Sequence, residues 1–350
     1  MIDLTNERIL VTGGAGFLGR HLCELLRAEG CRNLFTPRSA DYDLVDRAAV
    51  RRMYAAFEPT VVIHLAARVG GIGANRDNPG LFFHDNLQMG VNLIDEARHL
   101  ELRKFVQLGT VCSYPKHTPV PFREDALWDG FPEETNAPYG IAKKALLTML
   151  QSYRAQYGLN GIYLLPVNLY GPGDNFDLQT SHVIPAMIRK FVAQAPRLHD
   201  GGAPPPSKSS GGAPDDSRQG ACATVTLWGD GTPTREFLYV RDCARGIIAA
   251  AKQYEGAAHV NLGSGREISM RDLAELIREL TGSSAKVEWD TSMPNGQPRR
   301  CLDTSRAQEA FGWHAETKFE EGLRKTIQWW QAQSPSQKAG ESPQGTTDQG

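Results

Sequence analysis

The chain has 350 residues, with 38 Lys and Arg against 40 Asp and Glu and a net charge of −2. This length suggests about two domains with ample core, and the balanced charge excludes a general attraction to nucleic acid or to an anionic membrane. We find no apolar run of bilayer-spanning length, no signal-peptide layout in MIDLTNERIL, and no CxxC or metal-type spacing among the six cysteines. The sequence therefore predicts a cytoplasmic protein with free thiols and no metal site.

The N-terminal segment has the order strand, glycine turn, helix. Ile9–Thr12 is a short apolar run, GGAGFLG follows from Gly13 to Gly19, and a helical apolar pattern then continues to a stop at Gly30. A dinucleotide-binding fingerprint requires this context. Gly13 permits the tight turn, Gly16 lets backbone N–H groups approach a pyrophosphate at the helix N-terminus, and Gly19 allows close helix packing. We predict a nicotinamide dinucleotide site here, with a purely structural turn as the alternative.

The end of the second predicted strand, Leu34–Thr36, favours NADP over NAD. A carboxylate at this point would bind the ribose diol of NAD, but the chain continues with Pro37, Arg38 and Ser39. A cation and a hydroxyl suit a 2′-phosphate better. The alternative is an ordinary surface arginine at position 38.

Strands and helices alternate through the first half of the chain. After the second strand, the pattern predicts a helix over Asp46–Phe57, a strand over Val61–Ala67, a helix over Pro79–Leu100, and strands over Lys104–Leu108 and Ile162–Asn168. Near-continuous apolar runs such as VVIHLAA are typical of parallel strands covered on both faces. We therefore predict an α/β protein with a Rossmann-type doubly wound parallel sheet. Ligands of such sheets bind at the carboxyl ends of the strands.

The regular alternation of strands and helices ends after Gly173, which indicates a second, smaller α/β domain that binds the substrate. We place the Rossmann domain at 1–173 plus about 236–263, and the substrate-binding domain at about 174–235 and 264–333. The elements expected beyond Gly173 are a strand over Val225–Gly231 and helices over Ser181–Val192, Met270–Leu280 and Phe319–Gln331. The Gly-, Pro- and Ser-rich tract 197–223 cannot bury enough surface to fold alone, so we predict a disordered insertion there and a disordered tail at 334–350.

The segment NAPYGIAKK, residues 136–144, carries the strongest catalytic signal. It reads as a helix entry, with Asn136 as the cap and Pro138 in the first turn. Tyr139 and Lys143 are four residues apart and share one helix face. A phenol with a pKa of about 10 is a poor acid near neutrality, but a neighbouring ammonium favours the phenolate and makes proton transfer feasible. An ordinary Tyr and Lys on a solvated face is the alternative.

The order of glycine turn, Thr110 after a central strand, and then Tyr139 and Lys143 resembles the extended short-chain dehydrogenase/reductases. Within them, the chain is similar to the GDP-4-keto-6-deoxy-mannose 3,5-epimerase/4-reductases, which make GDP-L-fucose. The matching segments, between residue 9 and about residue 331, are HLAARVGGIGAN, GTVCSYPK, NAPYGIAKK, PVNLYGPGDNF, SHVIPAMIRKF, WGDGTPTREFLYVRD and NGQPRRCLD. The resemblance implies an NADPH-dependent enzyme that binds a GDP-sugar and forms a homodimer through the helices beginning near Pro79 and Pro138.

The resemblance also implies a role for each matching residue. Thr110 and Tyr139 would hydrogen-bond the C4 ketone, Lys143 would hold the nicotinamide ribose, and Cys112 and His182 would be the acid/base pair at C3 and C5. The residues implied for the cofactor are Gly13, Gly14, Gly16, Phe17, Leu18, Gly19, Arg38, Ala66, Leu108, Gly109, Thr110, Lys143, Pro166, Asn168, Leu169 and His182. Those implied for the GDP part are Lys190, Trp228, Arg235, Arg299 and Asp303.

The chemistry is consistent with this set of groups. Protons on C3 and C5 flank the C4 ketone, so removal of either gives an enolate that donors at the carbonyl oxygen stabilise. Inversion needs a proton on the opposite face, which a thiol and an imidazole from different segments can provide together. The alternatives are a small buried Cys112, a core or capping His182, and a surface charge at Arg235.

Three residues depart from the pattern of the subfamily. Thr110 stands where Ser is usual, Lys190 replaces an Arg, and Ala15 replaces a basic residue near the 2′-phosphate. Two other functions therefore stay open. One is a related nucleotide-sugar epimerase or C4-reductase that acts on another GDP-hexose or GDP-heptose. The other is a non-catalytic protein that binds and senses a dinucleotide.

Overall fold

A computed structural model describes residues 1–70, 77–177, 180–195, 223–293 and 295–337. Its centre is a sheet of six strands, all paired in parallel. In chain order these are β1 (Ile9–Thr12), β2 (Leu34–Phe35), β3 (Val61–His64), β4 (Lys104–Leu108), β5 (Gly161–Pro166) and β9 (Val260–Leu262). Their order across the sheet is β2-β1-β3-β4-β5-β9.

The near-continuous apolar runs are explained by the burial of this sheet. Every residue of β1, β3, β4, β5 and β9 is buried, because helices cover both faces. The helices are α1 (Phe17–Ala28), α2 (Arg47–Phe57), α3 (Pro79–Ala97), α4 (Ala137–Tyr157) and α6 (Val240–Gln253). Helices α3 and α4 pack along each other, with α2 beside them, and α1 packs against α6. The predicted doubly wound parallel sheet is confirmed.

A second group of elements surrounds a separate hydrophobic cluster. Strands β6 (Asn168–Tyr170), β8 (Thr234–Tyr239) and β10 (Glu267–Ser269) form a three-stranded sheet, and β7 (Thr224–Trp228) pairs in parallel with β11 (Lys286–Asp290). The helices packed here are α5 (Val183–Gln194), α7 (Met270–Thr281) and α9 (Phe319–Gln337). A short helix, α8 (Ser305–Phe311), lies against β9.

The prediction that residues 236–263 return to the first sheet requires a correction. Helix α6 and strand β9 do lie with the six-stranded sheet, but β8 pairs with β6 and β10 in the second sheet. The reason is visible at Val167. Its N–H donates to Leu262 O at 3.0 Å, after which the chain leaves β5, and Asn168 begins β6 beside Phe237. The predicted strand Ile162–Asn168 is therefore two strands in two sheets.

Element ends differ from the prediction in two other places. The strand predicted over Val61–Ala67 ends at His64, the last residue paired with β4. Helix α9 continues to Gln337, so the predicted disordered tail begins too early. The remainder of that tail, 338–350, and residues 197–222 of the predicted insertion lie outside the described residues.

No helix within the described ranges is both long enough and apolar enough to cross a lipid bilayer.

Candidate active site

The glycine turn after β1 brings the N-terminus of α1 against the ends of β1 and β3. Gly13 has φ +71°, and a Cβ there would lie 2.7 Å from the Ala66 nitrogen. A Cβ on Gly19 would lie 2.2 Å from the Gly13 oxygen, so only glycine permits this approach. Gly16 is the N-cap of α1, and no side chain caps the helix. The first-turn N–H groups of α1, near Phe17 and Leu18, therefore remain available to an anion.

A cavity at the end of β2 contains two guanidinium groups. Its lining residues are Phe35, Thr36, Pro37, Arg38, Asp41, Tyr42, Arg52 and Ala56. Arg47 and Arg51 of α2 both pair with Glu96, whereas Arg38 and Arg52 have no ion-pair partner among the described residues. Arg38 was predicted from its place after β2, whereas Arg52 was not, because it lies on α2 and reaches the cavity from another element.

The predicted catalytic hydroxyls meet between β4 and α4. Thr110 follows Leu108 and Gly109 at the end of β4, and its Oγ1 accepts from Cys112 N at 3.2 Å. Its hydroxyl lies near enough to the Tyr139 hydroxyl to lower the pKa of that phenol. Ser113 Oγ donates to Gly140 O at 3.0 Å, which ties the turn at 111–113 to the start of α4. The structure thus brings Thr110, Cys112 and Tyr139 together.

Burial controls the charges of Tyr139 and Lys143. Lys143 is 2% exposed, and burial lowers its pKa to about 8. Its Nζ lies 6.0 Å from the centre of the Tyr139 ring. Burial raises the pKa of Tyr139 well above its ordinary value, the Cys112 charge adds to this, and the nearby Thr110 hydroxyl opposes it. The expected depression of the Tyr139 pKa is therefore not seen, because desolvation outweighs an ammonium at this distance.

A buried histidine, which the sequence analysis missed, lies near Lys143. His64 ends β3, and its Nδ1 is 2.7 Å from Thr12 Oγ1. Burial lowers the pKa of His64 well below its ordinary value, and the charge of Lys143 lowers it further. Its Nε2 is buried without a hydrogen-bond partner among the described residues. Both effects disfavour a charge on the imidazole, so Lys143 is the cation of this pair.

Helix α4 begins differently from the prediction. Asn136 is the N-cap residue, but its side chain makes no capping hydrogen bond. Its Nδ2 instead donates to Glu133 Oε2 at 2.7 Å, and the same oxygen accepts from the Asn136 N–H at 3.2 Å. The Glu133 carboxylate therefore fixes the segment that precedes Tyr139.

The Cys112 thiol lies beside a guanidinium that the sequence analysis did not select. Arg300 Nη1 is 3.9 Å from Cys112 Sγ. Gln297 Oε1 accepts from Arg300 Nε at 3.2 Å and from Nη2 at 3.0 Å. Gln297 is buried, and its Nε2 donates to Lys116 O at 2.8 Å. Arg300 is therefore held firmly against the sulfur.

His182 lies on another segment, at the N-cap of α5. Its Nδ1 is 3.9 Å from Asp174 Oδ1, and its side chain is 54% exposed while that of Asp174 is 3% exposed. Asp174 lies in the matching segment PVNLYGPGDNF, but its type and spacing do not mark it as a partner of His182.

Three residues expected at the nucleotide lie on the second group of elements. Arg235 on β8 is half-buried, and burial together with the charge of Arg300 lowers its pKa to about 10. Lys190 on α5 donates to Thr226 O at 2.7 Å, and burial lowers its pKa. Trp228, at the end of β7, is 62% exposed, so its ring face is accessible.

Arg299 and Asp303 have other partners. Arg299 forms an ion pair with Glu267 on β10. Asp303 Oδ1 accepts from Ser305 N at 2.9 Å and from Ser305 Oγ at 2.6 Å, at the start of α8. The remaining expected cofactor residues, Pro166, Asn168 and Leu169, lie where β5 ends and β6 begins.

Comparison with known proteins identifies the family of the chain. Residues 9–263 match the NAD dependent epimerase/dehydratase family, and residues 217–326 match GDP-mannose 4,6 dehydratase. A probable GDP-L-fucose synthase 1 of Oryza sativa subsp. japonica is 38% identical over 324 residues, which cover 92% of each chain.

Solved structures are similar over nearly the whole chain. A GDP-6-OMe-4-keto-L-xylo-heptose reductase from C. jejuni is 27% identical with a TM-score of 0.83, covering 94% of this chain and 99% of its own. A GDP-L-fucose synthetase from Naegleria fowleri, bound to NADP, is 25% identical with a TM-score of 0.79, covering 95% of this chain and 96% of its own.

Proposed function

Because this chain belongs to the NAD dependent epimerase/dehydratase family and, within it, to the GDP-L-fucose synthases, we propose that it converts GDP-4-keto-6-deoxy-D-mannose to GDP-L-fucose with NADPH. The reaction comprises epimerisation at C3 and C5 and reduction of the C4 ketone. The observation that carries the proposal is the meeting of the Thr110 and Tyr139 hydroxyls, the Lys143 amine and the Cys112 thiol at the carboxyl end of β4.

The residues at the edge of the sheet fit NADP. The uncapped first turn of α1 suits the pyrophosphate, and the unpaired guanidinium groups of Arg38 and Arg52 suit a 2′-phosphate. Arg52 would supply the second cation for the 2′-phosphate, because Ala15 stands where related enzymes have a basic residue. Lys143 would hold the nicotinamide ribose, while the contiguous residues Pro166, Asn168 and Leu169 would line the nicotinamide. The bound cofactor supplies the hydride for C4.

Reduction at C4 requires a proton donor at the ketone oxygen. Tyr139 is protonated in this environment because burial raises its pKa, so it can donate its proton to the alkoxide that forms. Thr110, beside Tyr139, would donate a second hydrogen bond to the ketone oxygen. Lys143, whose pKa is about 8, carries its charge near neutrality and limits the accumulation of negative charge on Tyr139 during this transfer.

Epimerisation requires acid/base groups on both faces of the sugar ring. We assign this work to Cys112 and His182, which come from the turn after β4 and from the N-cap of α5. The enolate formed when C3 or C5 loses its proton is stabilised by the donors Thr110 and Tyr139 at the C4 oxygen.

The GDP part would lie against the second group of elements. Arg235 and Arg300 lie close enough for their charges to interact, and a diphosphate would relieve the repulsion between them. Lys190 adds a cation, and the Trp228 ring offers an aromatic surface. We place Arg300 here in preference to Arg299 and Asp303, whose side chains have other partners. The Rossmann domain would comprise residues 1–173 together with α6 and β9, and the substrate-binding domain residues 174–235 and 264–333 together with the rest of β8.

We also propose that the protein is a cytoplasmic homodimer that pairs through α3 and α4. The five described cysteines are free, as expected in a reducing compartment. Leu81 and Phe83 on α3 are exposed, and a groove on α4 is lined by Ile141, Ala145 and Met149. Sedimentation should show a dimer that Met149→Glu dissociates; a monomeric wild-type protein would refute this assembly.

Incubation with GDP-4-keto-6-deoxy-D-mannose and NADPH tests the function. We expect the NADPH absorbance to fall and GDP-L-fucose to form; an unchanged absorbance would exclude the proposal. The C. jejuni reductase, with its TM-score of 0.83, favours C4 reduction of a GDP-heptose as the second candidate. Turnover of a GDP-4-keto-heptose alone would support that candidate, and turnover of either sugar would exclude a non-catalytic dinucleotide sensor.

A further inference from the structure

We propose that Asp174 is the positioning residue for His182. Its buried carboxylate accepts the Nδ1 proton of the imidazole and thereby directs Nε2 towards the sugar. This inference rests on the proposed epimerase function of His182.

The first support is the state of the Asp174 carboxylate. Its side chain is 3% exposed, and Oδ1 lies 3.9 Å from His182 Nδ1. Oδ1 also accepts from Asn175 N at 2.7 Å. Oδ2 is buried and has no hydrogen-bond partner among the described residues. A buried carboxylate oxygen without a donor is rare in proteins, so this carboxylate can still accept a hydrogen bond, and the imidazole beside Oδ1 offers an N–H donor.

The second support is the difference in burial between the two side chains. Asp174 is fixed, because its loop is attached to α1: Arg20 Nη2 donates to Gly173 O at 3.1 Å, and His21 Nε2 is 2.8 Å from Pro172 O. The His182 side chain is 54% exposed. A movement of about 1 Å brings Nδ1 within hydrogen-bond distance of Asp174. A buried, fixed acceptor beside an exposed imidazole is an arrangement that selects one ring orientation.

Several charged and titratable groups lie around the loop that carries Asp174. Arg20 and His21 on α1 contact the backbone oxygens of Gly173 and Pro172, and Asp177 belongs to the same loop. Arg189 Nη1 on α5 donates to Phe176 O at 2.8 Å. Two guanidinium groups therefore bond to the backbone of this loop and hold it in place.

The contact between Asp174 and His182 would act during epimerisation. His182 transfers the proton on Nε2 to the enolate carbon, a C–H bond forms, and the N–H electron pair returns to the ring. The neutral ring keeps its proton on Nδ1, hydrogen-bonded to Asp174. Nε2 then takes up a proton from solvent, and the Cys112 thiol releases to solvent the proton that it removed from the sugar. Without the carboxylate, the proton would be divided between both nitrogens and the ring would lose its orientation.

The test compares proton exchange with hydride transfer. In D2O, Asp174→Asn should slow deuterium incorporation at C3 and C5 by at least about tenfold, while C4 reduction of the unepimerised sugar and the Kd for NADPH change less than about threefold. Asp174→Glu should restore part of the exchange. Asp177→Asn, an exposed position three residues on, is the matched control and should behave as the wild type. An unchanged exchange rate, or an equal loss of exchange and reduction, would overturn the inference.

A second measurement does not depend on turnover. In protein labelled with 15N-histidine, the His182 signal, identified with a His182→Gln variant, should show the proton on Nδ1 in the wild type and a mixture of tautomers in Asp174→Asn. Identical tautomers in both proteins would refute the role of Asp174. If the wild type exchanges no deuterium but its His182 is Nδ1-protonated, the proposed epimerase function fails and the positioning contact stands.

Discussion

Arg300 donates from Nη1 towards the sulfur of Cys112 at 3.9 Å, whereas its neighbour Arg299 turns to Glu267. The two side chains therefore contact different partners although they are adjacent in the chain. Gln297 holds Arg300 in place. One of two adjacent arginines thus belongs to the candidate site, and the other belongs to the surface of the second sheet.

This difference predicts unequal effects of two identical substitutions. Arg300→Gln should weaken GDP binding by roughly 10- to 100-fold, because a charge-assisted hydrogen bond to a phosphate contributes about 1.5–3 kcal/mol. Arg299→Gln should change it less than about twofold, since its exposed ion pair contributes little. Calorimetric titration of each variant with GDP measures both. Equal losses in the two variants would contradict the assignment.

The cavity at the end of β2 allows a similar comparison. Arg52 lines it without an ion-pair partner among the described residues, whereas Arg51 pairs with Glu96 at 2.9 Å. Arg52→Ser should raise the Kd for NADPH by about tenfold and leave the Kd for NADH unchanged, because only NADPH carries the 2′-phosphate. Arg51→Ser is the control. Fluorescence titration with each nucleotide reports the values, and equal weakening of both would place Arg52 away from the phosphate.

Lys143 should be required for turnover and should also lower the free energy of unfolding of the protein. Burial lowers its pKa from 10.5 to about 8, so the folded protein binds fewer protons than the unfolded chain between these values. The loss of folding stability caused by burying the Lys143 ammonium is complete below about pH 8. It disappears as the pH rises towards the pKa of this lysine in the unfolded chain. Lys143→Met should therefore abolish turnover, yet raise the free energy of unfolding near pH 7 by on the order of 1–3 kcal/mol.

Urea unfolding of both proteins at several pH values checks this prediction, and the difference between them should shrink as the pH approaches 10. A destabilised Lys143→Met at neutral pH would show that the amine makes a net favourable contact in the folded protein.

Tyr139 should be required for reduction but not for folding. Tyr139→Phe removes the proton donor, so turnover should fall by about 10²- to 10⁴-fold with NADPH binding retained. Tyr153→Phe on the same helix, which loses only a hydrogen bond to Asp95, should keep its activity. Steady-state rates of the two variants test this prediction. Full turnover by Tyr139→Phe would show that the Tyr139 hydroxyl is not the proton donor.

The sequence was sufficient for elements that depend on local pattern. The glycine turn, the buried parallel strands and the pair Tyr139 and Lys143 follow from residue type and spacing alone. The pairing of strands that are distant in the sequence does not follow from them. Asn168 belongs to a different sheet from Pro166 because Val167 bonds to Leu262, and no local signal marks that change of sheet. The direction of the Tyr139 pKa was also wrong, because burial is a property of the packed structure.

The same reason explains the site residues that were missed. Arg51 and Arg52 are adjacent and chemically identical, and only the helix phase and the position of Glu96 separate a paired arginine from one that faces the cavity. Asp174 and His182 are brought together by the loop between β6 and α5, and Arg300 is aligned by a contact with Gln297. None of these relationships has a characteristic spacing.

The most direct test of the central claim is the product formed in D2O from GDP-4-keto-6-deoxy-D-mannose and NADPH. The wild type should give GDP-L-fucose with deuterium at both C3 and C5, and Cys112→Ser should give a C4-reduced sugar without deuterium at either carbon. Mass spectrometry and NMR of the isolated product measure both. Turnover by the wild type without deuterium at C3 and C5, or unchanged incorporation by Cys112→Ser, would contradict a thiol-assisted double epimerisation.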